Sequence, residues 1–130
     1  MSNRPRKNYD YGRAGIAMVT LKARPDMWLC RITQDSFKLS PIGHIVHDHL
    51  KKIPGFYPQA KIGQCQIMPD HLHTMMHVVA DLPPGVTLHS VFRGFKIGVN
   101  RECRDRFVAS SFQVFEKGLN ASLVFTPDHL

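Results

Sequence analysis

The 130-residue chain is long enough for one domain, and its 43% hydrophobic and 21% charged residues describe a folded globule, not a disordered tract. Seventeen Lys and Arg against ten Asp and Glu leave a net charge of +7, which favours a polyanionic partner such as nucleic acid. Short apolar runs exclude a membrane span and a secretory signal; Cys30, Cys65 and Cys103 show no CxxC spacing, which excludes a zinc ribbon or disulfide framework and fits a reduced, cytoplasmic setting.

Residues 1–15 are polar and basic and read as a loose arm. Residues 16–23 (IAMVTLKA) read as a first strand. Residues 28–33 form a second short one, with residues 37–39 as its continuation or hairpin partner. Ser40-Pro41 is a helix start, with Ser as N-cap and Pro at the first helical position. Ile42, Ile45, Val46, His49, Leu50 and Ile53 then recur at helical spacing, and Pro54-Gly55 marks the stop. Residues 61–68 and 72–79 are strand-like and joined by a Pro69-Asp70 corner. A second helix spans residues 87–106, burying Leu88, Phe92, Phe95, Val99 and Cys103. Arg93, Lys96, Asn100 and Arg104 form a second stripe beside that one, either a DNA-binding face or a solvated one. Residues 112–117 read as the last strand. The expected fold is α+β, with an antiparallel sheet, two helices on one face and a ferredoxin-like or RRM-like topology.

The informative segment is Met68-Pro69-Asp70-His71-Leu72-His73. Two histidines two apart on a strand point to the same face, where neutral imidazoles form a bidentate site for a divalent metal. Leu72, Thr74, Met76 and Val78 then face the helices. His77 shares the histidine face but lies about 13 Å beyond His73 at strand rise, too far to join the same ion. In a chain with eight histidines such a pair also arises by chance. His49 reads as helix packing, and His44, His47, His89 and His129 as surface residues. A histidine-triad hydrolase needs a third histidine where this chain has Met75, and an RNA-recognition module needs aromatics that residues 61–68 and 72–79 lack.

The segment Met68 to His73 resembles the M-P-[ND]-H-x-H signature of the single-tyrosine HUH transposases, which include small insertion-sequence transposases and REP-associated tyrosine transposases. The likeness extends to RKNYDY at residues 6–11, VFRGFK at 91–96 and FEKGLN at 115–120, in the same order and over nearly the whole chain. Ala17 and Leu119 depart from the aromatic residues usual at those places. The resemblance implies an HUH endonuclease fold and a bacterial transposase acting on single-stranded DNA hairpins. His71 and His73 would hold Mg²⁺ or Mn²⁺ beside the scissile phosphate, and a tyrosine would form a phosphotyrosine link. A homodimer is a further expectation.

In that family the nucleophilic tyrosine stands on a helix after the last strand. Thr126-Pro127-Asp128 resembles the start of such a helix, and the tyrosines present are Tyr9, Tyr11 and Tyr57, all elsewhere. The expectation is therefore a transposase-like chain without its usual nucleophile, Tyr9, Tyr11 and Tyr57 being the remaining candidates. Two alternatives stand beside it: a non-catalytic DNA-binding relic, and a metal-dependent phosphoesterase using water at His71 and His73.

Overall fold

Alternation in GIAMVTLK puts Ala17, Val19 and Leu21 on one face of β1 (Gly15–Lys22), where all three are buried. The computed structural model describes residues 12–125, so Tyr9, Tyr11 and His129 lie outside it. The following elements are β2 (Cys30–Ile32), β3 (Phe37–Leu39), α1 (Pro41–Phe56), β4 (Ala60–Ile67), β5 (His71–Val78), α2 (Leu88–Arg106) and β6 (Asn120–Phe125). Four strands make an antiparallel sheet in the order β4-β5-β1-β6, while β2 and β3 pair as a separate ribbon. The α+β expectation holds.

Both helices cover one face of the sheet. Ile45, Val46, Leu50 and Ile53 of α1, with Val91, Phe92, Phe95 and Val99 of α2, close over Leu72, Met76 and Val78 of β5. Each such fully buried side chain contributes roughly 1.5–3 kcal/mol by leaving water. His49 Nε2 meets Glu102 Oε1 at 2.7 Å across the two helices, and Gly98 leaves room for its ring, so His49 packs between helices as expected. At the start of α1, the Gly43 N–H donates to Ser40 Oγ at 2.9 Å, and that hydroxyl donates to the Trp28 carbonyl at 2.6 Å. Thr87 and Ser90 form a reciprocal capping box on α2.

Three differences from the sequence reading have physical causes. The helix α1 runs two residues past Pro54, because a proline there removes one hydrogen bond while the Tyr57 N–H still closes the turn on Ile53 O at 2.9 Å. Residues 12–14 are not a loose arm, since Leu82 N–H donates to Gly12 O and Ala14 N–H to Asp81 Oδ1. The last strand is residues 120–125, not 112–117. The earlier segment makes only an isolated bridge, Phe115 to Ala23, in which Arg24 N–H donates to Val114 O and Glu116 N–H to Lys22 O, and Val114 N–H donates to Asn100 Oδ1 at 3.0 Å. Its buried Val114 and Phe115 imitate a strand's pattern, but the ladder position beside β1 belongs to β6.

Candidate metal and nucleic-acid site

The face opposite the helices carries the histidines. On β5 the odd positions His71, His73, Met75 and His77 alternate with buried Leu72, Thr74, Met76 and Val78. Register places Thr20 opposite His73 and Lys22 opposite His71 on β1, with Asn120 of β6 opposite Thr20. The two imidazole centroids are 4.6 Å apart with their planes at 77°. His77 is exposed and paired opposite Ile16, away from the other two.

Each ring has one nitrogen already engaged. His71 Nδ1 lies 2.8 Å from Asp70 Oδ1, and His73 Nδ1 lies 2.8 Å from Thr20 Oγ1. A carboxylate only accepts, so the His71 Nδ1 carries the hydrogen and its Nε2 the lone pair. The hydrogen bond to His71 holds the Asp70 carboxyl below the usual carboxylate range. Both Nε2 atoms lack a protein partner among the described residues. A cleft of about 520 Å³ opens here, lined by the two histidines, Asp70, Lys22 and the 116–119 loop. Among the described residues no third His, Cys, Asp or Glu completes a metal cluster with the pair. Two imidazole nitrogens are a donor type that divalent ions accept, and any further ligand would have to come from outside these side chains.

The 116–119 loop is also one wall of a second cleft, of about 610 Å³, whose other wall is the start of α2 with His89 and Arg93. The loop is held by Lys96, whose ammonium donates to the Glu116 carbonyl at 2.9 Å and to the Gly118 carbonyl. Burial lowers the Lys96 pKa. Of the stripe on α2, therefore, Lys96 and Asn100 both anchor residues 114–118 by backbone hydrogen bonds. Arg93 is exposed at the second cleft and Arg104 is half-buried. Tyr57 caps α1 and lines a groove between the helices, on the far side of the sheet from His71 and His73. The fold does not bring it to the histidine cleft.

Sequence reasoning missed Thr20, Lys22 and Glu116 as parts of this cleft. Period-2 alternation put Thr20 and Lys22 on the outer face of β1, but only register shows which histidine each one meets.

An antiparallel sheet with H-x-H on an inner strand and both helices behind it is the fold also seen in a solved HUH transposase. The structure superposes on that of the REP-associated tyrosine transposase bound to a REP hairpin, with a TM-score of 0.58, 15% identity and coverage of 94% of this chain and 62% of that one. By sequence, the chain is 27% identical over 117 residues to an uncharacterized protein of Haemophilus influenzae, covering 75% of this chain and 65% of that protein. The chain therefore spans somewhat under two thirds of the length of either. No protein-family profile matches it. Among the described residues no helix is long and apolar enough to cross a membrane.

Proposed function

We propose that this chain is a transposase-like DNA-binding protein that holds single-stranded DNA hairpins on its histidine face. The observation that carries the reading is the His71–His73 pair, each ring fixed at Nδ1 and offering Nε2 to a cleft that the basic residue Lys22 also lines. The fold shared with a hairpin-bound transposase supports the same assignment.

His71 and His73 would hold a divalent ion, Mg²⁺ or Mn²⁺, whose chemistry is to neutralise phosphate charge as a Lewis acid. Asp70 keeps the His71 ring in the tautomer that presents Nε2. Thr20 Oγ1, 2.8 Å from His73 Nδ1, orients that ring with Nε2 left to the cleft. Lys22 and Lys117 would attract the backbone entering the cleft, and Arg93 the strand leaving through the neighbouring one. Cleavage through a phosphotyrosine needs a tyrosine at the cleft. Tyr57 is on the wrong side of the sheet, so within the described residues the chain binds and orients DNA without a nucleophile of its own. The edge strands β4 and β6 leave an antiparallel route for pairing with a second copy.

Anisotropy of a labelled DNA hairpin tests the proposal. The hairpin should bind at least tenfold tighter than a blunt duplex of the same stem. Equal affinity for the two would refute it. Turnover of a simple phosphodiester without hairpin preference would favour a water-using phosphoesterase instead.

A further inference from the structure

Among the described residues no element covers the outer part of the β2–β3 ribbon, and its composition is unusual. Pairing sets Cys30 opposite Leu39, Arg31 opposite Lys38 and Ile32 opposite Phe37. Alternation therefore places the two cations on one face and the Ile32–Phe37 pair on the other. The root is fixed: Cys30 is buried, and Leu29 N–H donates to Pro69 O at 2.9 Å. Beyond the root, Phe37 is 57% exposed, Trp28 56% and Ile32 51%.

Neither pattern serves the fold. Like charges directly opposite each other on paired strands cost stability, and no carboxylate among the described residues forms an ion pair with Arg31 or Lys38. Large apolar groups left in water return nothing to folding. A ligand with a negatively charged backbone and flat apolar faces would resolve both, and unpaired nucleotides have both. The ribbon also stands in the right place. Its root is bonded to the Pro69–Asp70 corner, and Asp70 and His71 of the histidine cleft follow directly. The ribbon's carboxylate, Asp35, sits in the tip turn, beyond the paired cations.

We infer that this ribbon grips unpaired nucleotides flanking the hairpin stem. Arg31 and Lys38 hold phosphates, while Trp28 and Phe37 stack on bases. The inference rests on the hairpin-binding reading above and adds a second contact surface to it, outside the histidine cleft. It commits to single-stranded nucleotides, since the bases of a duplex are stacked on one another and offer no free face to the rings.

Trp28 is the single tryptophan of the chain and so reports on the ribbon directly. The full chain is titrated with two DNA probes, a blunt hairpin and the same hairpin carrying a four-nucleotide single-stranded overhang. The overhang probe should quench Trp28 emission and bind about tenfold tighter. Phe37→Ala, and the pair Arg31→Ala with Lys38→Ala, should each remove that advantage and leave the blunt hairpin's affinity within twofold. The double variant should also lower the salt slope for the overhang probe by about 1.4, the value for two single-strand phosphates. Tight binding of both hairpins with unchanged Trp28 emission would overturn the ribbon's role alone. Failure of either hairpin to bind would overturn this inference and the hairpin-binding reading together. Quenching of Trp28 by polyglutamate, but not by the overhang probe, would show a site for acidic protein and overturn the inference.

Discussion

Replacing Lys96 by Met separates two roles for the α2 stripe. The stem and its packing are kept, while the ammonium that donates to the Glu116 and Gly118 carbonyls is lost. A hydrogen bond to a charged group contributes roughly 1.5–3 kcal/mol. Lys96 is half-buried and both bonds end on one solvent-facing loop, so screening cuts the pair to about 2 kcal/mol in total. For a domain of this length that corresponds to roughly 6–8 °C in Tm. Urea unfolding followed by far-UV circular dichroism reads the loss. The freed 116–119 loop walls both clefts, so hairpin affinity should fall as well, with little change in its salt slope. A residue that only touched phosphate would behave in reverse, losing about 0.7–0.9 of the slope and no stability. An unchanged urea midpoint would refute the anchoring role of Lys96.

Other perturbations test separate parts of the structure. Thr74 is fully buried on the helix side of β5, and its hydroxyl has no partner among the described residues, so Thr74→Val should stabilise the protein by about 1 kcal/mol in urea unfolding. A β-carbon on Gly43 would lie 1.9 Å from the Leu29 carbonyl oxygen, which is itself tied to the Ser40 N–H, so Gly43→Ala should cost about 3 kcal/mol, seen as a lowered urea midpoint. The hydrogen bond to His49 holds the Glu102 carboxyl below its usual value. Its stabilisation is therefore present above the unfolded value near ~4.3 and lost as pH falls through the lower folded value. Glu102→Gln should cost about 0.5–1 kcal/mol at pH 6 and nothing at pH 2, measured by thermal melts at both.

Much of the architecture was legible because its signals are local. Ser40-Pro41 specified the start of α1 through a side-chain cap, and the alternation around His71 and His73 told which face each residue takes. What could not be read depended on pairing between distant segments. Residues 112–117 are apolar enough to read as a strand, yet they make only an isolated bridge with residues 22–24, and their other backbone partners are Asn100 and Lys96 of α2, a contact no local pattern announces. The run NASLVF after the Gly118 turn was the available sign of β6. Lys96 and Asn100 were placed on the correct side of α2, but helical spacing says nothing of what a polar head meets there. The histidine pair was found by motif. Its Thr20 and Asp70 supports follow from register and from a corner geometry.

On the proposed reading, the histidine face joins metal and DNA. Hairpin affinity measured by anisotropy, with Mn²⁺ or with EDTA, tests it most directly when the wild type is set beside a His71→Ala, His73→Ala double variant. Mn²⁺ should tighten wild-type binding several-fold and leave the variant unaffected, with both proteins equal in EDTA. Wild-type and variant affinities that match in Mn²⁺ as well as in EDTA would contradict it.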